Sequence, residues 1–297
     1  MAVSYLGPGG SFSEVAALTF RPGDAMLPLP TFPAVVAAAE RGEAGFAMLP
    51  IENSIEGAVS ANLDLLIYDT ALKMCGEVIV PVQHYLTGAP GARLEEITTV
   101  SSHPQALAQC RKWLETHLPN ATVVAALSTS GAVEAAAQGG DPTKAGIGTL
   151  RAAELYGGEV LAAEIHDVRA NVTRFAALSE HDHEPTGDDK TNLGFTVKKN
   201  TPGALYRVMG AFADEGIQLT KAESRPTKAW LGDYVFLFDM EGHRLDAPIS
   251  RAIERAIGLC DWLKVFGSYP RFPMESLRSV IEPADAASAE RMGVAAS

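Results

Sequence analysis

Several short segments of this chain set hydroxyl, amide and charged side chains beside glycine or proline, the composition from which anion-binding turns are built. Gly7-Pro8-Gly9-Gly10-Ser11-Phe12-Ser13 follows an apolar run and opens an alanine-rich one. A strand-to-helix turn there would aim backbone N–H groups and hydroxyls at a carboxylate or phosphate. It lacks the G-x-G-x-x-G dinucleotide spacing, and a tight turn capped by Ser11 or Ser13 explains it as well. Pro50-Ile51-Glu52-Asn53-Ser54-Ile55-Glu56-Gly57 puts polar groups at the C-terminal end of an apolar run, where open α/β sheets bind ligands. Its alternative is a loop in which Asn53 and Ser54 satisfy backbone groups. Ser101-Ser102-His103-Pro104-Gln105-Ala106-Leu107 and Leu127-Ser128-Thr129-Ser130-Gly131-Ala132 repeat the pattern, and each alone reads as capping chemistry. Together, such turns would line a cleft with neutral donors suited to a small polyanion. In Asn171-Val172-Thr173-Arg174-Phe175, a strand puts Thr173 and Phe175 on one face and Arg174 on the other. Arg174 there braces a loop or a carboxylate.

The bulk composition narrows the field. The 297 residues call for more than one domain, and 47% hydrophobic with 20% charged residues is ordinary globular usage. With 24 Lys plus Arg against 36 Asp plus Glu, the net charge of −12 repels nucleic acid and anionic membrane at long range. No basic segment leads into an apolar stretch at the N-terminus, and no apolar run reaches membrane-spanning length. A cytoplasmic protein with no nucleic-acid or membrane partner is expected. Cys75, Cys110 and Cys260 lie far apart without C-x-x-C spacing, which suggests neither a disulfide framework nor a zinc site. No metal or other cofactor is expected.

The elements that must position these segments alternate. Apolar runs bounded by Gly and Pro (Val3 to Leu6, Gly45 to Pro50, Ile97 to Ser101, Thr122 to Ala126, Ala145 to Gly148) interleave with helical stretches (Ser11 to Arg21, Pro33 to Arg41, Pro104 to Leu118, Ser130 to Gln138). This is α/β patterning and predicts largely parallel sheet covered by helices. A long β-type stretch from Cys75 to Thr87 offers a crossing from one lobe to a second, with a cleft between. Ser179 to Asp189 (SEHDHEPTGDD) has linker composition; His181 and His183 in it read as solvated. Beyond it, strands at Thr191 to Lys198, Gln218 to Arg225, Asp233 to Glu241 and Leu263 to Tyr269, with helices at Pro202 to Glu215 and Pro248 to Leu259, give the β-α-β-β-α-β order of a ferredoxin-like fold. The tail from 281 to 297 reads as flexible.

Taken jointly, the segments resemble the prephenate dehydratase family from Tyr5 to about Arg271. The opening is similar to G-P-x-G-[TS]-[FY]-S, Pro50 to Gly57 to P-[IV]-E-N-S-x-x-G, Ser102 to Leu107 to S-H-P-Q-A-L, and Asn171 to Phe175 to N-x-T-R-F. Gly9, Ser11 and Gly131 are mild departures. The resemblance implies a two-lobed, periplasmic-binding-protein-like catalytic region over 1–180, crossing near 75–87 and returning near 165–178, then an ACT regulatory domain over 190–272. It implies that Thr173 is catalytic and assists departure of the ring hydroxyl as prephenate loses CO2 and water to give phenylpyruvate. Ser11, Asn53, Ser54, Ser102, Gln105, Ser128, Thr129 and Arg174 are the substrate-binding candidates, with a Glu52–Arg174 ion pair left open; His103 reads as cap or catalyst. Gly203, Ala204 and Leu205, with Glu223, Ser224, Arg225 and Pro226, look like the two phenylalanine-site signatures, implying allosteric binding between subunits of a homodimer or homotetramer. No chorismate mutase segment precedes Tyr5, so a monofunctional enzyme is expected. Arogenate as substrate, or a non-catalytic two-lobed sensor, are the competing readings.

Overall fold

A computed structural model describes residues 1–198, 201–230 and 232–277; the tail expected from 281 lies outside these residues. Along the chain run β1 (Ala2–Leu6), α1 (Phe12–Phe20), β2 (Ala25–Leu29), α2 (Phe32–Glu40), β3 (Phe46–Asn53), β4 (Gly57–Ala58), α3 (Ser60–Asp64), β5 (Lys73–Pro81), β6 (Tyr85–Gly88), β7 (Thr99–Ser102), α4 (Pro104–Gln109), α5 (Arg111–His117), β8 (Thr122–Ala125), α6 (Thr129–Gln138), β9 (Lys144–Gly148), α7 (Leu150–Tyr156), β10 (Glu159–Ala162) and β11 (Val172–Ser179). Then follow β12 (Asp189–Val197), α8 (Ala204–Ala213), β13 (Leu219–Pro226), β14 (Tyr234–Glu241), α9 (Ala247–Ile257) and β15 (Cys260–Pro270).

Hydroxyl residues start the helices around the cleft. Ser11, Ser128 and Thr149 each accept a hydrogen bond from the N–H three residues on, opening α1, α6 and α7. Gly157, in the left-handed region at φ 67, closes α7. The stretch predicted as one helix from Pro104 to Leu118 is two, α4 and α5, broken at Cys110.

These elements form three sheets among the described residues: a first with order β2-β1-β3-β11-β5 and β4 beside β3, a second with order β10-β6-β9-β7-β8, and a third with order β13-β14-β12-β15. The expectation of largely parallel sheet is corrected here. Strands β1, β2 and β3 are parallel, but β11 is antiparallel to both β3 and β5. In the second sheet, β6 is antiparallel to its neighbours β10 and β9. The cause is chain path: the chain leaves the first sheet after Pro81 and returns in β11, so the returning strand runs against the departing one. The long β-type stretch from Cys75 to Thr87 divides between sheets, β5 in the first and β6 in the second.

One face of the first sheet packs Val3, Tyr5, Met48, Val78, Val80 and Phe175 against α1. On the other face, Leu49, Ile51, Ala176 and Leu178 share a core with Val35 and Val36 of α2 and with Val235, Leu237, Phe266 and Tyr269 of the third sheet. Burial of this kind, at about 25 cal/mol per Å² of apolar surface, welds the C-terminal unit to the first sheet.

Candidate active site

Thr173 lies on β11 between Asn53 of β3 and Val80 of β5. Side chains directly opposite across antiparallel strands share a face, so Thr173, Asn53 and Val80 point toward α1 while Arg174 points toward the third sheet. The ladder slips by one residue at Ile51: Arg174 pairs with Glu52, but Phe175 pairs with Pro50. Without this β-bulge, alternation would put Asn53 on the face of Ile51 and Leu49, away from Thr173. The bulge re-aims it.

The hydrogen bonds around Asn53 fix their own direction. Its Oδ1 accepts from the backbone N–H groups of Ile55 (3.0 Å) and Glu56 (2.9 Å), so its Nδ2 must be the donor, to Asn171 Oδ1 at 2.7 Å and Thr173 Oγ1 at 3.0 Å. Thr173 Oγ1 therefore accepts from Asn53 and keeps its own proton to give. Among the described residues no protein group accepts that proton. Ser54 ties the neighbouring turn, donating to Ala170 O at 3.1 Å and accepting from Val172 N at 3.0 Å.

Beside Val80 a pocket of about 270 Å³ opens between the first and second sheets, lined by Phe12, Val15, Pro81, Gln83, Tyr85, Thr149, Leu150, Arg151 and Glu154. The Gly9-Gly10 turn is held from across it. Ser130 and Tyr156 donate to Gly9 O at 2.6 and 3.0 Å, and Thr149 donates to Gly10 O at 2.5 Å. Gly10 has φ +78, and a Cβ on it would stand 2.7 Å from Ala152 Cα, so the approach requires glycine.

The other predicted residues divide. Ser11 and Ser128 are committed as helix caps, Ser11 also donating to Leu6 O. Ser102, expected to meet substrate, is fully buried here, where it donates to Ile147 O at 2.7 Å and ties β7 to β9. Gln105 and Thr129 keep side chains without hydrogen-bond partners among the described residues, at the first turns of α4 and α6. His103 caps α4, its ring nitrogen accepting from Gln105 N at 3.3 Å. Arg174, also expected to meet substrate, is held in an internal cluster here. Its guanidinium binds Glu77 (2.8 Å), Asp239 and Tyr269 Oη (2.7 Å), with Glu52 3.5 Å away. Burial opposes its charge, but Tyr269, Asp239 and Glu77 outweigh that and hold it well above the ordinary arginine value.

Sequence reasoning missed Arg151, the cation of the pocket, 3.5 Å from the buried Glu14. It also missed the buried His84, whose Nε2 meets Gln109 Oε1 at 2.9 Å and whose ring packs edge-on to Phe12. Burial, then proximity to His166, depresses the His84 value against the Gln109 bond. Gly148-Thr149-Leu150-Arg151 carries the same hydroxyl-before-helix signal as the other turns; His84 has no local signature.

On the C-terminal unit, Gly203 is left-handed at φ 79 and opens α8 ahead of Ala204 and Leu205. On β13, Arg225 binds Asp64 at 2.9 Å and Ser60 Oγ at 2.9 Å, Glu223 lies 3.2 Å from Lys221, and Ser224 and Pro226 are exposed.

A family model described as prephenate dehydratase matches residues 3–183. A prephenate dehydratase of Amycolatopsis methanolica is 40% identical over 286 residues, covering 95% of this chain and 92% of that one. The solved prephenate dehydratase of Arthrobacter aurescens in complex with L-Phe superposes with TM-score 0.83 at 34% identity, over 97% of this chain and 94% of that one. A solved protein described as GqqA, a novel type of quorum quenching acylase, superposes with TM-score 0.84 at 33% identity, over 93% of this chain and 100% of that one. With more than half of its length matched by that family model and near-complete relatives at this identity, the chain belongs to the prephenate dehydratase family.

Proposed function

We propose that the chain catalyses the decarboxylating dehydration of prephenate to phenylpyruvate and is regulated by phenylalanine. The observation that carries this is the Asn53–Thr173 pair, a hydroxyl held as acceptor from one side and free to donate on the other. In the reaction the ring carboxylate departs as CO2, its bonding electrons enter the ring, and the ring C–O bond breaks as hydroxide leaves and takes up a proton to become water. The product ring is aromatic, so the protein has only to orient the dianion and stabilise the departing oxygen. Thr173 donates to that oxygen as charge grows on it, a role suited to a hydroxyl too weak an acid for full proton transfer near neutral pH. The apolar lining from Phe12, Val15, Val80 and Pro81 suits the ring, and Arg151 in the same lining supplies a cation for a carboxylate, with Gln105 and Thr129 at the first turns of α4 and α6 as neutral donors. The carboxylates then need no net positive protein.

In this reading residues 1–180 form a two-lobed catalytic region and 190–272 an ACT domain, supported by the β-α-β-β-α-β element order and the β13-β14-β12-β15 strand order. Phenylalanine is bound by Gly203, Ala204, Leu205, Glu223, Ser224, Arg225 and Pro226 between paired copies of the domain, in a cytoplasmic homodimer or homotetramer. Among the described residues no helix is long and apolar enough to cross a membrane.

One structural neighbour is described as an acylase, and a histidine-activated nucleophile is one route to acyl transfer. No serine, threonine or cysteine among the described residues is hydrogen-bonded to a histidine ring, the arrangement that would activate a nucleophile.

The test is phenylpyruvate formation from prephenate and from arogenate, with and without millimolar phenylalanine. Prephenate turnover that phenylalanine suppresses, and that falls about 100-fold in Thr173→Ala, is the expected result. Near-normal turnover by Thr173→Ala removes the threonine from its role, and inactivity of the unmodified chain on both substrates removes the activity.

A further inference from the structure

The residues that make the Asn53–Thr173 hydrogen bond have ladder neighbours, Glu52 and Arg174, on the opposite face of the same two strands. Those neighbours touch the C-terminal unit. Glu52 Oε1 lies 3.1 Å from Lys221 Nζ of β13, and Lys221 in turn lies 3.2 Å from Glu223, two residues along the same strand. Lys221 is thus shared almost equally between a carboxylate of the first sheet and one of its own unit. All three side chains are partly buried, at 21% exposure for Lys221, 34% for Glu52 and 21% for Glu223. At such partial burial an ion pair is screened less by salt than a surface pair.

A second contact brackets the same turn. Four residues beyond Lys221, Arg225 binds Ser60 Oγ and Asp64, and Lys228 binds Asp64 at 2.6 Å. Ser60 and Asp64 belong to α3, which follows β4, and β4 pairs back onto Glu52 and Asn53. The turn carrying Asn53 is therefore held at both ends by one strand of the C-terminal unit. The bulge at Ile51 that gives Asn53 its direction sits immediately before the first anchor, Glu52.

We propose that Lys221 is a positioning residue for the reaction: its ion pair with Glu52 holds the bulged end of β3 so that Asn53 keeps its hydrogen bond to Thr173, and a cationic group arriving at Glu223 alters that hold. The inference rests on the prephenate dehydratase reading, and it gives that reading a physical link between the ligand site on β13 and the reacting hydroxyl. A free amino acid carries such a cation in its ammonium group. When that ammonium takes Glu223, Lys221 is left to Glu52 alone, and the stronger, one-sided pull on Glu52 draws the backbone next to Asn53 out of the position in which Asn53 meets Thr173, which lowers turnover. Lys221 never meets the substrate.

The test uses the full chain with Lys221→Met and Lys221→Arg. Lys221→Met is expected to lower kcat for prephenate about tenfold while KM stays within about twofold, with Lys221→Arg restoring most of the loss. Phenylalanine, titrated calorimetrically, should bind Lys221→Met within about threefold of its normal affinity yet change its turnover little. Amide hydrogen exchange across 52–54 and 172–174 supplies a readout that needs no turnover: faster exchange in Lys221→Met, and loss of the phenylalanine-induced change seen in the unmodified chain. Normal kcat, normal inhibition and unchanged exchange in Lys221→Met overturn the proposal. Should Lys221→Met unfold, Glu223→Gln is read instead; it releases Lys221 to Glu52, so slower exchange at 172–174 is expected and unchanged exchange overturns the proposal. An unmodified chain inactive on prephenate would sink the dehydratase reading alone, since the exchange arm still decides the Lys221 link.

Discussion

At the scale of single residues, the direction of one hydrogen bond decides what Thr173 can do. Asn53 is a donor to Thr173 because two backbone N–H groups occupy its carbonyl oxygen. Replacing Asn53 by Asp therefore does more than delete a contact: the new carboxylate would draw the Thr173 proton to itself and repel a leaving anion. Asn53→Asp is expected to lose about 100-fold or more in kcat, and Asn53→Ala less, as removal of a single donor to developing charge usually costs; steady-state kinetics of the two variants compare them. If Asn53→Asp is the milder of the two, the direction assigned to the bond is wrong. Residue chemistry of this kind was only half legible beforehand. The face of Thr173 followed from strand alternation, but the partner of Asn53 depended on a bulge, and nothing in Pro50-Ile51-Glu52-Asn53 marks where a ladder will slip. Ser102 shows a related limit, since a hydroxyl near a strand end serves the sheet as readily as a ligand.

At the scale of elements, the Gly9-Gly10 turn is the part most intolerant of change, because helix α7 packs directly against it. A methyl group at Gly10 meets both a left-handed backbone and Ala152, so Gly10→Ala should cost about 1–2 kcal/mol from backbone strain alone. It should also raise KM for prephenate by displacing α7 from the pocket. Thermal unfolding and KM measured together check this, and a variant with unchanged KM would separate the turn from substrate binding. Helix starts were readable in the sequence because a hydroxyl before an alanine-rich run has few other uses. The break at Cys110 and the strand β10 were not, as no glycine or proline marks the first and β10 has only one sheet neighbour, β6.

At the scale of the whole molecule, Arg174 and Glu77 join the first sheet to the third. Glu77 is buried, yet Arg174 and Lys190 outweigh the burial and hold its carboxyl below the ordinary glutamate value. A lowered folded value means the stabilisation is fully present above the ordinary carboxylate range and is lost as pH falls through the folded value. Urea midpoints should therefore fall on acidification below about pH 5. Glu77→Gln should be less stable by about 3 kcal/mol near neutrality, from stranding buried cations, with the two curves converging in acid. Parallel curves would show that Glu77 is not the group responsible. None of this junction was readable in sequence beyond Glu52 and Arg174 themselves, because Glu77, Lys190, Asp239 and Tyr269 come from distant segments with no common motif.

The antiparallel strand β11 also sets an order of events at the ribosome. It lies between β3 and β5, yet it leaves the exit tunnel only after the entire second sheet has been made. Until then β3 and β5 each present an open edge to the cell, while the second sheet, drawn wholly from residues 85–162, already has every strand it needs. The nascent chain is thus obliged to finish its middle before its beginning, and its most exposed interval, when unpaired strand edges invite association with other chains, ends with the synthesis of the strand that carries Thr173.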